Sequence, residues 1–398
     1  MISTGRIAIV GIGPGSLDHM TPAARAAIDS ADTVIGYVTY LRLIEELLDG
    51  KTVIRKAMAE ELGRAEEALA RAQQGERVAL ISSGDAGVYG MAGPTYEVLF
   101  EAGWTPESGI DVEVIPGTSA LVACAARVGA PLTHDFCAIS LSDLLTPWAV
   151  IARRLDAVGA ADFVVAFYNP KSGRRSQQIL EAQRILLRHR SPDTPVAIVK
   201  SAFRPRERIE LSTLGQMAEC EIGMLSTVLI GNSHTFVRSG QMVTPRGYAN
   251  KYDVASGTVF EGEQAGRSLS TGLTGWREAL AASGETAESL AAVFNLPLAE
   301  ILRLREGATL SPEEILAWCA RWAEIRLTLF GPASRPTLEV RARAADMRVA
   351  GGELAVDLPG GSLRLPWPVP QATLSGQTLY AMNSGGEVLC RIDAGDAT

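Results

Sequence analysis

From Arg6 to Ile230 the chain alternates short apolar runs with stretches of helical periodicity, and few folds accommodate that pattern over such a length. The first runs are Ile7–Ile12, Thr33–Ile35, Val78–Ser82 and Val112–Ile115. Between them fit helices at Pro22–Ser30, Leu41–Leu48, Ala59–Gln73 and Gly93–Ala102, the first opened by Thr21 as N-cap and Pro22 in the first turn. Strands separated by helices predict mainly parallel sheet covered by helices, the α/β class. A helix at Ser119–Val128 then leads into a second series at Ala138–Leu141, Phe163–Tyr168, Val196–Lys200 and Thr227–Ile230, with a helix at Ser176–Arg188. The expected organisation is therefore one α/β lobe over 1–117 and another over 118–253.

Past Asp253 the pattern changes. Residues 254–275 are rich in Gly, Ser and Thr, which reads as a linker. Helices are expected at Gly275–Ala282, Ala287–Phe294, Leu298–Arg305 and Pro312–Ile325, then strands at Thr337–Ala342 and Leu354–Leu358 around a Gly351-Gly352 turn. A Pro-rich piece, Leu365–Pro370, precedes a last β-like stretch. Residues 276–398 thus read as a small accessory α+β domain of unknown function. Ser289–Arg305 has the outline of a helix-turn-helix and equally that of a plain helical hairpin; the net charge of −8 favours the hairpin and no nucleic-acid partner.

The cysteines Cys124, Cys137, Cys220, Cys319 and Cys390 stand far apart, and the histidines are scattered, so neither a metal site nor a disulfide framework is expected. Two cysteines in the tail are too few for a four-thiolate cluster. No apolar run reaches membrane-spanning length, and the start has no signal-like core; the expectation is a cytoplasmic protein with no membrane partner.

The chemistry-bearing motifs sit where strands end. Gly11-Ile12-Gly13-Pro14-Gly15 follows a strand and precedes a helix. It reads as a tight turn or as a loop that lets a ligand approach the backbone. A dinucleotide fingerprint, and with it a nucleotide-binding oxidoreductase, is disfavoured by Ser16 where Gly or Ala is wanted, and by Pro14, which removes an amide donor. Ser83-Gly84-Asp85-Ala86-Gly87-Val88 exposes backbone at a strand's C-terminal edge, where α/β folds take ligands, and Asp85 offers negative charge to a cationic one. Pro116-Gly117-Thr118-Ser119-Ala120 joins a strand to a helix, with Thr118 or Ser119 as cap or the free amides as carboxylate holders. Tyr168-Asn169-Pro170 and Gly231-Asn232-Ser233 end later strands in the same manner.

Taken in order and spacing, Gly11–Gly15, Ser83–Val88, Pro116–Ala120, Tyr168 and Gly231–Ser233 resemble the tetrapyrrole (corrin/porphyrin) methyltransferase family over residues 5–252. The resemblance implies two α/β lobes, a homodimer, and S-adenosylmethionine as methyl donor with S-adenosylhomocysteine as product. Carried over by position, the donor would be held by Pro14, Ser83, Gly84, Asp85, Val88, Ser119, Ala120, Tyr168 and Ala202. Gly36–Leu41, Ser83–Met91, Gly129–Phe136, Ser140–Trp148 and Pro245–Tyr248 further resemble the branch that methylates C-17 of precorrin-3B with ring contraction to precorrin-4 in cobalamin biosynthesis. Other precorrins or cobalt-precorrins are the alternative substrates, and a tetrapyrrole carrier is the non-enzymatic one. Siroheme-forming members of the family carry an acidic residue where this chain has Tyr37, which argues against a uroporphyrinogen substrate.

Such a substrate carries many carboxylates. Arg42, Arg55, Lys56, Arg127, Lys171, Arg174, Arg175, Arg204, Arg206 and Arg208 are the basic residues available to meet them, or to form a solvated face. Ring contraction needs a base, for which Tyr37, His134 and Asp143 are the candidates.

Overall fold

The computed structural model describes residues 5–270 except 174, and beyond these 272, isolated positions between 289 and 324, and most of the strands from 325 to 394. It divides into two compact units, Met1–Gly247 and Tyr248–Thr398.

The first unit contains two five-stranded sheets. The first is built from β1 (Gly5–Gly11), α1 (Pro22–Asp29), β2 (Thr33–Tyr37), α2 (Val38–Leu41), β3 (Thr52–Lys56), α3 (Glu61–Gln73), β4 (Arg77–Ser82), α4 (Ala92–Glu101) and β5 (Ile110–Ile115). Its order is β3-β2-β4-β1-β5, and every pairing is parallel. The inner strands β2, β4 and β1 are almost wholly buried because helices cover both faces, whereas the edge strands β3 and β5 carry exposed charged residues such as Arg55, Asp111 and Glu113. Ala8, Val10, Val34, Ala79 and Ile81 pack toward α1, while Ile7, Ile9, Ile35, Val78 and Leu80 pack toward α3 and α4. Thr21 caps α1 by accepting from the Ala24 N–H at 3.1 Å, with Pro22 in the first turn as expected. The expected helix at Leu41–Leu48 is instead a single turn of α2 followed by 3-10 turns over Arg42–Leu47, broken where Ile44 leaves helical geometry.

The second lobe comprises α5 (Ala120–Val128), β6 (Gly129–Ala130), β7 (Phe136–Ser140), α6 (Trp148–Ala160), β8 (Val164–Tyr168), α7 (Gln177–Leu186), β9 (Pro195–Lys200), β10 (Arg208–Thr213), β11 (Ser226–Ile230), β12 (Phe236–Arg238) and β13 (Gln241–Val243). Its main sheet runs β10-β9-β11-β8-β7. Mainly parallel pairing is expected, but here it is confined to β7 with β8; β8 with β11, β11 with β9 and β9 with β10 are antiparallel. The reason is connectivity. The segments before β10 and β11 contain no helix long enough to carry the chain back across the sheet, and a parallel neighbour needs such a crossover. Val165, Phe167, Val196, Ile198 and Val228 form one buried face against α6 and α7, and Ala166, Ala197, Val199 and Leu229 form the other against α5.

In the second unit, residues 254–270 run as successive turns, with Asp253 accepting from the Ala255 and Ser256 amides and Glu263 from that of Ser270. The tail is richer in strand than expected. A six-stranded sheet takes in β14 (Ala308–Thr309), β15 (Ile325–Gly331) and β16 (Arg335–Ala342), and a three-stranded sheet is made of β17 (Met347–Ala350), β18 (Glu353–Leu358) and β19 (Gly361–Pro366). β20 (Gln371–Ser375), β21 (Thr378–Met382) and β22 (Val388–Ala394) complete the larger one, in the order β14-β20-β21-β22-β15-β16. The expected strands at Thr337–Ala342 and Leu354–Leu358 lie within β16 and β18. Ile325, expected to end a helix, opens β15, where Ile325 and Leu327 are fully buried and Arg326 reaches Glu339 on the outside. The helices expected between 275 and 312, with the Ser289–Arg305 outline, lie mostly outside the described residues, as does the Gly351-Gly352 turn. No helix among the described residues is long and apolar enough to cross a membrane.

Candidate ligand-binding site

Because the first sheet is wholly parallel, β1, β4 and β5 all end at one edge, with Gly11 level with Ser82 and Val10 level with Ile115. The three loops that follow are locked to one another through glycines. Gly13 and Gly84 exchange backbone hydrogen bonds at 3.0 and 2.8 Å, and Gly84 has a φ of +69°, in the left-handed region. A Cβ on Gly117 would lie 2.2 Å from the Gly84 carbonyl oxygen and 2.4 Å from that of Gly11, so that position admits only glycine. Asp85 fastens the same junction: one carboxylate oxygen accepts from the Gly87 N–H at 2.8 Å, the other from the Gly117 N–H at 2.9 Å. The carboxylate read from sequence as bait for a cationic ligand is thus first a clasp between two loops.

The second lobe brings its own strand ends to this place. A cavity of about 160 Å³ is lined from the first lobe by Pro14, Tyr40, Ser83, Gly84, Asp85, Val88 and Tyr89. Ala120, Ala123, Cys124, Tyr168, Asn169, Ser201, Ala202, Arg204 and the segment Met224–Thr227 line it from the second. Eight of the nine residues expected to hold the donor are therefore gathered in one cavity. The ninth, Ser119, stands one residue behind Ala120, buried against Gly84, with its hydroxyl bonded to Tyr168 rather than capping α5. The Tyr168 hydroxyl in turn accepts from the Leu121 N–H at 2.8 Å, in the first turn of α5.

Gly231-Asn232-Ser233 lies elsewhere. β11 runs antiparallel to β8, so its beginning, Ser226-Thr227, meets the cavity, while its end pairs with the start of β9 through the Gly231 N–H and the Pro195 carbonyl. There the Gly231 carbonyl accepts from Arg190, and Asn232, Thr235 and Thr244 form a buried hydroxyl–amide knot. That motif builds the lobe and does not reach the cavity.

Tyr89, Asn169 and Ser201, all at the cavity, have φ values of +52°, +49° and +54°. Left-handed backbone at non-glycine residues costs about 1–3 kcal/mol each, and such positions concentrate at binding sites. Asn tolerates the left-handed region, so Asn169 is in character there, but nothing in residue type announces Tyr89 or Ser201. Tyr89 spans the lobes: its ring lies 4.9 Å from that of Tyr168, and its hydroxyl donates to the Ala138 carbonyl and accepts from the Ser140 N–H, both on β7. Burial raises the pKa of Tyr40, Tyr89 and Tyr168 above the ordinary phenol value, and holds the Cys124 thiol at about 11, so these groups are protonated at neutral pH.

The three acid–base candidates fall in different places. Tyr37 ends β2 and sets its ring edge-on to Tyr40, 5.1 Å away, next to the cavity. Asp143 follows β7, does not line the cavity, and accepts from the Gln178 amide at 2.8 Å. His134 precedes β7, at the opposite end of that strand and roughly 13 Å or more from Ser140 by strand rise. Its Nδ1 accepts from the Asp135 N–H on the surface, so the structure does not bring it to the cavity.

Of the basic residues, Arg127 forms a bidentate pair with Glu207, and Arg208 is taken by Glu210 and Glu221. Arg175 donates to the carbonyls of Leu141 and Asn169. Arg174 lies outside the described residues. Among the described residues no cluster of three or more His, Cys, Asp or Glu is arranged to hold a metal.

A family model described as Tetrapyrrole (Corrin/Porphyrin) Methylases matches residues 6–218. The chain is 58% identical over 248 residues to the cobalt-factor III methyltransferase of Priestia megaterium, a match covering 62% of this chain and 46% of that one, so it takes in less than half of that relative. It is 47% identical over 242 residues to the probable cobalt-factor III C(17)-methyltransferase of Salmonella typhimurium, covering 61% of this chain and 99% of that one. Among solved structures, that of the methyltransferase CobJ superposes with a TM-score of 0.57 at 37% identity, over 61% of this chain and all of the other.

Proposed function

This chain belongs to the tetrapyrrole (corrin/porphyrin) methylases, and from that membership we propose that it transfers a methyl group from S-adenosylmethionine to C-17 of a precorrin-3B-type macrocycle, with ring contraction, in cobalamin biosynthesis. The observation that carries the reading is the convergence of strand ends from both lobes on one cavity, lined by eight of the positions expected to hold the donor. The names of the relatives at 58% and 47% identity favour cobalt-factor III, the cobalt-bearing form, over metal-free precorrin-3B. The cobalt belongs to the substrate.

The residues present suit the donor. The cavity walls combine small side chains and backbone, which permit close approach, with three tyrosine rings, and they include one cation, Arg204, with no ion-pair partner among the described residues. The donor supplies a methyl on a sulfonium, already an excellent leaving group, so the protein needs no metal for the transfer itself. What it must do is hold the two reactants in line and keep water out, a contribution of about 7–11 kcal/mol at best. The locked Gly11–Gly84–Gly117 junction gives the cavity a rigid floor. The protonated phenols of Tyr40 and Tyr168 offer hydrogen bonds without adding charge beside the sulfonium, while that of Tyr89 is already spent on β7. For the base of ring contraction we favour Tyr37, packed against the cavity residue Tyr40, over Asp143 and His134. The family resemblance further supports a cytoplasmic homodimer.

The test is incubation of the full chain with S-adenosylmethionine and either cobalt-factor III or precorrin-3B, followed by mass spectrometry. One added methyl on either macrocycle supports the reading, and the faster substrate settles the metal. Tight binding of NADH, with no response to S-adenosylmethionine, would sink it.

A further inference from the structure

Arg204 is a cation held in the cavity wall without a counter-charge. Its Nε donates to the Pro14 carbonyl and its Nη2 to the Ser83 hydroxyl at 3.1 Å, so it reaches from the second lobe to two loops of the first. Both acceptors are neutral. The titratable groups that act on it electrostatically are Tyr40 and Cys124, which are themselves protonated at neutral pH, and burial lowers its pKa. The nearby carboxylates are already committed: Glu207 to Arg127 and the Phe203 N–H, and Asp85, which lines the same cavity, to the Gly87 and Gly117 N–H groups. A guanidinium has five N–H donors in a planar fork, and the two bonds above leave three of them without a protein acceptor among the described residues. Arg190 makes the contrast. It is buried, whereas Arg204 is only partly buried, and it spends itself on the carbonyls of Gly231, Val158 and Phe163 and does not line the cavity.

A partly buried cation with spare donors facing a cavity is matched by a ligand anion, and a planar fork is matched by a carboxylate. We propose that Arg204 is the carboxylate receptor of this site. The proposal rests on the methyl-transfer reading above, which supplies two sources of that group: the amino-acid end of the methyl donor, and the acid side chains of the macrocycle. In either case the guanidinium ties the ligand to the Pro14 and Ser83 loops.

The test compares the full-length wild type with Arg204→Gln and Arg204→Lys. Calorimetric titrations use S-adenosylhomocysteine and 5′-methylthioadenosine, which lacks the amino-acid end; turnover gives KM for the macrocycle. If the donor supplies the carboxylate, Arg204→Gln loses about tenfold or more in affinity for S-adenosylhomocysteine but keeps that for methylthioadenosine, and Arg204→Lys loses less. If the macrocycle supplies it, both nucleoside affinities hold and the macrocycle KM rises by a similar factor. Should Arg204→Gln fail to fold, the same pattern of selective loss is sought in Arg204→Lys. Equal loss of both nucleosides, or variants that match the wild type on all three ligands, overturns the proposal. A wild type that binds neither nucleoside and turns over no macrocycle overturns instead the methyl-transfer reading on which it rests.

Discussion

The carboxylate of Asp85 holds the backbone N–H of Gly117 at 2.9 Å, across 32 residues of chain. Its other oxygen holds the Gly87 N–H, so one side chain sets the spacing of two ligand-facing loops. Asp85→Ala should therefore weaken S-adenosylhomocysteine binding by about tenfold and lower stability by about 1–3 kcal/mol, since charge-assisted bonds to backbone are lost. His134→Ala, at the far end of β7, should leave the affinity unchanged. Calorimetry and urea titration of the two variants check both points; equal losses in affinity would refute the division.

Gly117→Ala should be among the most damaging single-methyl additions in the first unit. The new Cβ would meet two carbonyl oxygens at 2.2 and 2.4 Å, and both belong to backbone. A stability loss of at least about 2 kcal/mol is expected. Gly93→Ala, in α4 with open space around its Cβ, serves as control and should be neutral or stabilising by up to about 1 kcal/mol. Urea denaturation of the pair measures the difference.

The Asp32–Arg77 pair predicts a shallow acid dependence. Hydrogen bonds from the Arg77 side chain and N–H bring the Asp32 pKa from 3.8 to about 2. A depressed folded-state value means that the pair stabilises the protein above about pH 4, and that this contribution fades as the pH falls toward 2. Both side chains are about half exposed, which limits the effect to about 1 kcal/mol or less. The stability gap between wild type and Asp32→Asn, followed by urea melts at pH 7, 4 and 2.5, should shrink along that series.

A protein truncated to residues 1–253 should fold and bind S-adenosylhomocysteine with an affinity within about threefold of the full chain, a difference of less than about 0.7 kcal/mol. Every residue of the cavity lies within the unit that ends at Gly247. A cooperatively unfolding truncation that binds no nucleoside would show that the tail completes the site.

Much of the site was legible because of where β1, β4 and β5 stop. β1 and β4 are apolar runs, β5 alternates apolar with charged residues, each is followed by a loop of small residues, and parallel strands must end together. Strand direction in the second lobe was not legible. Ser226-Thr227-Val228-Leu229-Ile230 has the same apolar pattern read either way, so Gly231-Asn232-Ser233 looked like another ligand loop, and Met224–Thr227 went unnoticed. β10 escaped because it is an edge strand whose charged and polar residues blur its apolar pattern. The helical spacing of Ile151, Leu155 and Gly159, which makes α6, was present in the sequence and was not read. Left-handed φ at Tyr89 and Ser201 has no counterpart in residue type, though at Asn169 it suits the residue.

Tyr89 ties the edge of one sheet to a loop of the other, and this bears on how the molecule can breathe. Its hydroxyl gives β7 both a donor and an acceptor, at Ala138 and Ser140. Parting the lobes at this point would strip two backbone groups of their partner at once and release a strained tyrosine from the contact that over-determines it. Traffic of ligands through the cavity is thereby channelled into small loop displacements, and the two lobes should unfold together, as a single calorimetric event.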